Sequence, residues 1–302
     1  MTIRERHPEA HFTHVPQATA LVTGSTAGIG AEFARQLASQ GHALVLVARD
    51  AARLESSAAS LRSRFAVPVE TITADLLTDD GVEAVARRLA SVDSPVALLV
   101  NNAGHGLRGN FADNELSDEL DLLRIHTQAP LVLAHAALRA MGAAGGGRII
   151  NVASMAAFTP HGTYSAAKAL MVSFSRWANE YYRPRGITVT AVCPGYVRTE
   201  FHERMRLEHL RVPRFAWLQP DEVVQAGLAD AAAGRAVSIP TLRYKAGAVL
   251  ARLLPDALLA RVGRGWRPTQ EKSPVPHQPS ARCRRCGTAW RASRPRRRGS
   301  GW

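Results

Sequence analysis

Tyr164 and Lys168 stand four positions apart in the run Tyr164-Ser-Ala-Ala-Lys168, the spacing that brings two side chains to one face of a helix. A free phenol titrates near ~10 and is a poor base at neutral pH. An ammonium ~4 Å away, at an effective dielectric of ~20, contributes about 4 kcal/mol, or up to ~3 pKa units before screening. Such a pair suits general acid–base chemistry in which a lowered phenol gives or takes a proton. Tyr-x-x-x-Lys is common on helix surfaces, so its weight comes from its neighbours. Arg148-Ile-Ile-Asn-Val-Ala-Ser154 reads as a buried strand ending in a hydroxyl. Leu98-Leu-Val-Asn-Asn-Ala-Gly104 does the same one strand earlier. In a parallel sheet such ends lie side by side.

A second group of residues is suited to an anion. The apolar run Ala18–Thr23 leads into Gly24-Ser25-Thr26-Ala27-Gly28-Ile29-Gly30, followed by a helical pattern. Glycines there let the backbone approach a pyrophosphate, and the amides and dipole of the helix start favour the charge. The spacing is Gly-x-x-x-Gly-x-Gly; a glycine-rich turn alone says little, and its place between first strand and first helix is what matters. At the end of the next strand an acid would bind ribose hydroxyls, whereas an arginine accommodates a 2′-phosphate. This chain has Ala48 and then Arg49, which predicts NADP(H) over NAD(H). Asp50 is read instead as the cap of a helix over Ala51–Arg64.

These groups need a frame of alternating strands and helices. Val-, Ile- and Leu-rich runs at Ala18–Thr23, Ala43–Ala48, Val69–Ala74, Val96–Asn101, Arg148–Ala153, Ile187–Cys193 and Ala236–Ile239 suit strands covered on both faces. Helical patterns fall between them at Gly28–Ser39, Ala51–Arg64, Asp79–Ala90, Leu116–Met141, Tyr164–Tyr182 and Asp221–Ala233. The expected fold is α/β, a doubly wound parallel sheet of Rossmann type with about seven strands in a single domain, its ligand crevice at the carboxyl ends of the strands. The domain is placed at 16–240, after a polar N-terminal extension at 1–15. A C-terminal helical extension at 241–266 closes it, and a basic tail at 267–302, rich in Pro, Ser and Arg and without periodicity, is expected to be disordered. The helical extension is read as packing, with a membrane or a greasy substrate as the other use of its apolar face.

The net charge of +13 belongs mainly to the tail. Residues 267–302 hold ten Lys and Arg against one acid, a net of +9, leaving +4 for the other 266. A tail-borne, sequence-independent contact with nucleic acid is the use such charge permits, but no specific nucleic-acid partner is expected. The three cysteines (Cys193, Cys283, Cys286) do not make a disulfide framework, and no run approaches the ~20 apolar residues of a membrane span. A cytoplasmic protein without a transmembrane segment is expected. One Cys283-x-x-Cys286 pair with His277 falls short of a metal site, so no metal is expected.

Taken together, Thr23–Gly30, Asp75-Leu76, Asn101-Asn102-Ala103-Gly104, Ser154, Tyr164/Lys168 and Pro194-Gly195 with Thr199 resemble, in order, the motifs of short-chain dehydrogenases/reductases, over roughly Ala18 to Pro240. The resemblance implies hydride transfer between a nicotinamide cofactor and an alcohol or carbonyl. It implies Tyr164 as proton donor and acceptor, Lys168 on the nicotinamide ribose, and Ser154 on the substrate oxygen. Asp75 and Leu76 would sit at the adenine, Asn102 to Gly104 along the cofactor, and Pro194, Gly195, Val197 and Thr199 by the nicotinamide. It also implies a homodimer or homotetramer built through the long helices.

The sequence departs from that pattern twice. His126, in Ile125-His126-Thr-Gln-Ala129-Pro130-Leu131, stands where the family usually carries a proton-relay asparagine. Imidazole also donates and accepts, but it is larger and titrates near ~6.5, so it can replace the relay, impair it or simply fill core space; reduced but real activity with acid sensitivity is expected. Ser154 and Tyr164 are ten positions apart, about three fewer than the family commonly shows, which leaves a wider pocket or a displaced Tyr164. A degenerate NADP(H)-binding sensor or scaffold is therefore the alternative to an enzyme. Substrate-facing loops are expected at His105–Leu107, Met155–Phe158 and Tyr196–Trp217. Their Met155, Phe158, Phe201, Phe215 and Trp217 favour an alcohol or ketone with apolar bulk, and Arg204, Arg206, Arg211 and Arg214 stand among them.

Overall fold

Seven short runs form one parallel sheet whose inner strands are apolar and buried on both faces. A computed structural model describes residues 18–107, 109–160, 162–199 and 213–253, all within one compact unit. The extension at 1–15, the tail at 267–302 and the helical extension beyond 253 lie outside the described residues. The strands are β1 (Thr19–Thr23), β2 (Leu44–Ala48), β3 (Val69–Thr73), β4 (Val96–Asn101), β5 (Gly147–Val152), β6 (Ile187–Val192), a minor pair β7 (Tyr196–Val197) and β8 (Trp217–Leu218), and β9 (Val237–Ser238). The main sheet has the order β3-β2-β1-β4-β5-β6-β9. This is a doubly wound Rossmann-type sheet, and its order reverses beside β1.

Alternation along the strands divides the core in two. Ala20, Val22, Leu44, Leu46, Leu98 and Val100 face one layer, which α1 (Gly28–Ser39) covers. Leu21, Val45, Val47, Leu99 and Ile149 face the other. The helices α2 (Ala51–Phe65) and α3 (Asp79–Leu89) begin at side-chain caps. Asp50 accepts from the Arg53 amide at 3.0 Å, and Thr78 accepts from the Gly81 amide at 3.1 Å. The Asp50 cap is the one expected from the sequence.

The helix expected over Leu116–Met141 is interrupted. It divides into α4 (Leu116–Leu123), a wide π-helical turn at Arg124–Gln128, and α5 (Ala129–Ala143). Pro130 explains the break. It has no N–H to bond the carbonyl four residues back, and its ring crowds that carbonyl. That carbonyl belongs to His126. The Ala129 amide instead reaches Arg124 O, five residues back, and π turns of this kind gather at functional sites. The remaining helices are α6 (Gly162–Tyr182), α7 (Pro220–Ala232) and α8 (Leu242–Leu253).

Candidate active site

The chemistry-bearing side chains meet where β4 and β5 end. The register pairs Asn101 with Asn151, and Asn101 Nδ2 donates to Asn151 Oδ1 at 2.9 Å. Asn151 Nδ2 in turn donates to Ser175 Oγ of α6, also at 2.9 Å. This buried chain of amides ties the two strand ends to the helix that carries Tyr164 and Lys168. Ser154, just past β5, opens a 3-10 turn over Met155–Phe158, its hydroxyl accepting from the Ala156 amide at 3.1 Å.

Tyr164 and Ser154 are joined by a hydrogen bond between their side chains. The short connection between them therefore does not pull the phenol away: the 3-10 turn and the entry into α6 at Gly162 take up the difference. Lys168 lies one turn further along α6, 5% exposed. Its Nζ donates to the Val152 carbonyl at 2.6 Å and sits 5.6 Å from the centre of the Tyr164 ring.

Here the structure corrects the expected electrostatics. Burial pushes the Tyr164 phenol up to about 12, with the Ser154 hydrogen bond pulling the other way. Lys168 does not lower it, because the ammonium turns to the Val152 carbonyl and burial brings Lys168 itself down to about 8. A lysine so placed sheds its proton at about pH 8, well before a free one does.

His126 lies in the π-helical turn, 4% exposed. Its ring meets the Tyr164 ring edge-on at 5.2 Å. Gly104 makes room for it, since a Cβ there would stand 2.1 Å from His126 Cε1. Nε2 is 2.6 Å from the His105 carbonyl; a carbonyl only accepts, so Nε2 carries the proton and Nδ1 is a bare acceptor. Burial first, and the Lys168 charge second, hold the imidazole well below 6.5. The expectation of a charge change near ~6.5 is thereby overturned: His126 is neutral at physiological pH.

His126 Nδ1 and Asn101 Oδ1 are both buried without a hydrogen-bond partner. Both residues line a cavity of about 10 Å³ together with Lys168 and Val152, near the size that holds one water. Sequence reasoning missed Asn101 here. The signal was two consecutive asparagines at a strand end, where alternation turns the first inward and the second toward the glycine-rich turn.

On the other side of the crevice, Asn102 straps that turn to β4. Its Nδ2 donates to Thr23 O at 3.0 Å and to Gly24 O at 3.1 Å. The amides of Asn102 and Ala103 both donate to Thr23 Oγ1 at 3.0 Å. Unlike α2 and α3, α1 starts without a side-chain cap, at Ala27, and its first turn carries no acid. Its leading amides thus fit a dinucleotide's phosphates. Arg49 follows β2 and reaches Asp75 at 3.9 Å, both side chains being well exposed. Arg53, which the sequence reading did not single out, brings Nη2 within 3.5 Å of the Thr26 carbonyl.

Several expected cofactor contacts are limited to backbone. Leu76 and Val197 are 5% and 3% exposed, with side chains in the core. Ser25 is buried and gives its hydroxyl to Val47 O at 3.3 Å. Ile29 packs against the core beside α1. The Pro194–Thr199 segment does reach across the crevice: Pro194 O accepts from the Met155 amide at 2.9 Å, and Thr199 lies against Gly28. Residues 200–212, with Phe201, Arg204, Arg206 and Arg211, lie outside the described residues, as do His277, Cys283 and Cys286. Among the described residues no cluster of three metal-ligating side chains occurs, and no helix is long and apolar enough to cross a membrane.

Residues 18–209 match the model of the short chain dehydrogenase family. The chain belongs to that family. It is 36% identical, with a TM-score of 0.72, to a short-chain dehydrogenase from Sphingobium yanoikuyae in complex with NADPH, covering 85% of this chain and 98% of that one. It is 31% identical, with a TM-score of 0.68, to a bulky-bulky ketone specific alcohol dehydrogenase from Comamonas testosteroni, covering 85% and 96%. It is also 38% identical over 179 residues to a very-long-chain 3-oxoacyl-CoA reductase of Laccaria bicolor. That match spans 57% of this chain and about half, 52%, of the relative. This short-chain dehydrogenase is accordingly an oxidoreductase acting on CH–OH or C=O groups.

Proposed function

We propose that this short-chain dehydrogenase interconverts ketones of apolar bulk and their secondary alcohols with NADP(H), using Ser154, Tyr164 and Lys168. The observation that carries this is the hydrogen-bonded pair Ser154 and Tyr164, set beside a buried Lys168 at the carboxyl end of β5. The bound nicotinamide supplies or accepts the hydride. Ser154 orients the substrate oxygen by donating to it, and Tyr164 delivers the proton as charge develops there. Its raised pKa keeps the phenol protonated, the form a reduction needs. Lys168, near 8, can re-protonate it.

The preference for NADP(H) rests on Arg49 at the end of β2 without an acid at Ala48, with Arg53 close to Thr26. The NADPH-bound relative supports it. Arg49 would hold the 2′-phosphate by charge-assisted hydrogen bonds. The bulky-ketone relative and the apolar Met155–Phe158 turn beside Ser154 favour a substrate of apolar bulk. Leu170, Trp177 and Tyr181 of α6 are 42%, 53% and 51% exposed, which suits burial in a homodimer or homotetramer.

The test is oxidation of NADPH, against NADH, with a panel of bulky aryl and alicyclic ketones. Turnover that favours NADPH and disappears in Tyr164→Phe is expected. Tight NADPH binding with no turnover across the panel would replace this reading by that of a cofactor-binding sensor.

A further inference from the structure

Tyr244 lies on α8, in the segment that the sequence suggests merely closes the domain. Most of that helix faces outward: Leu242, Val249 and Leu250 are 82%, 57% and 55% exposed. Its inward groups are Ala248, 3% exposed, and the half-buried ring of Tyr244. The ring lies over Gly195 so closely that a Cβ there would stand 2.0 Å from Tyr244 Cζ. Glycine at this position is therefore set by a contact made 49 residues away in the chain.

The Tyr244 hydroxyl is used fully. It donates to the Ala216 carbonyl at 2.6 Å and accepts from the Tyr196 amide at 3.2 Å. Tyr196 opens β7, and Ala216 directly precedes β8. One phenol thus bridges both strands of the small sheet, where Arg198 N also donates to Leu218 O at 3.0 Å. Arg243 Nη2 adds a contact to the Trp217 carbonyl at 3.5 Å. At one end of the same segment Pro194 is tied to the turn after Ser154, and at the other Thr199 meets Gly28 of the glycine-rich turn. Between these two ends the segment is held by β8 and, through both strands of the small sheet, by Tyr244 of α8.

The geometry points to Tyr244 as a positioning residue for Pro194–Thr199, which makes α8 part of the cofactor site. The inference rests on the NADP(H) reading above. The segment spans from the Ser154 turn to the glycine-rich turn, so its backbone forms the wall against which a nicotinamide nucleotide would lie. A wall free to move would bind the cofactor less well, while Ser154, Tyr164 and Lys168 stayed in place.

The experiment uses the full chain and four proteins: wild type, Tyr244→Phe, Gly195→Ala, and Gly195→Ala combined with Tyr244→Ala. NADPH affinity is measured by fluorescence titration, and amide hydrogen exchange is followed in the peptide containing Tyr196. Tyr244→Phe keeps the ring over Gly195 and removes both hydrogen bonds, so faster exchange at Tyr196 and about tenfold weaker NADPH binding are expected. Gly195→Ala weakens binding further, and removing the ring in the double variant restores at least about threefold of the loss. Faster exchange with unchanged NADPH affinity would reduce Tyr244 to a structural contact and overturn the inference. A Gly195→Ala defect indifferent to residue 244 would overturn it as well. Wild-type protein that binds no NADPH while exchange still responds to Tyr244→Phe would instead refute the NADP(H) reading, and the positioning role with it.

Discussion

Replacing Lys168 by Met should make the protein more stable at neutral pH while removing its activity. The folded lysine titrates at about 8 against an ordinary 10.5. Between those values the unfolded chain holds a proton that the folded chain has released, so this residue makes stability rise with pH across that window. Below about 8 the full penalty of a buried ammonium applies, about 3 kcal/mol. Met fills similar space without charge but loses the 2.6 Å bond to Val152 O, costing about 1 kcal/mol. The expected net gain is about 2 kcal/mol at pH 7, shrinking to within about 0.5 kcal/mol of zero near pH 9.5, where most of the penalty is relieved in the wild type. Paired urea unfolding curves at the two pH values measure this, and groups common to both proteins cancel. A stability difference that is the same at both pH values would refute the argument, because it would mean that Lys168 is not held near 8 by burial.

Tyr164→Phe should lower ketone reduction by at least about 100-fold, the scale of a lost general acid, with NADPH affinity changed less than about twofold; wild-type turnover would remove the phenol from the mechanism. His126 is neutral in the folded protein, so the pH–rate profiles of wild type and His126→Asn should share their shape between about pH 6 and 8, within the range where a free imidazole titrates. An acid limb near ~6.5 that vanishes in the variant would show that the imidazole does titrate. Arg49→Ala should cost about tenfold or more in NADPH affinity, the scale of a hydrogen bond to a charged group, and leave NADH binding unchanged. Equal losses for both cofactors would place Arg49 away from the 2′-phosphate.

The frame of this site was legible because the inner strands, covered on both faces, are written as runs rich in Val, Ile and Leu. All seven main-sheet strands lie where such runs stand, and Val96–Asn101 has the bounds read from the sequence. Asp50 was legible as a cap because its role is local. Other features depend on partners distant in the chain. The two-residue strands β7 and β8 are too short to carry a period, and each exists through the other. The spacing of Tyr164 and Lys168 fixed their common face, but the direction of the ammonium was decided by the Val152 carbonyl, sixteen residues earlier. A lysine one turn from a tyrosine does not lower the phenol when a better acceptor lies within its reach.

The break in the long helix shows how local and distant constraints combine at His126. Pro130 frees the His126 carbonyl from the helical ladder and places the wide turn there. The turn presents the imidazole between Tyr164 and the end of β4, a space filled by a five-membered ring only because residue 104 has no side chain. Nε2 is then committed to the His105 carbonyl, which leaves Nδ1 with its lone pair among Asn101, Lys168 and Val152. An asparagine amide in the same turn could present either its oxygen or its nitrogen. A neutral imidazole whose Nε2 is already bonded presents only an acceptor. The substitution therefore fixes the polarity of the small cavity: two acceptors, Nδ1 and Asn101 Oδ1, share its lining with Lys168. A water there would donate to both acceptors, so histidine in place of asparagine would fix the way such a water points.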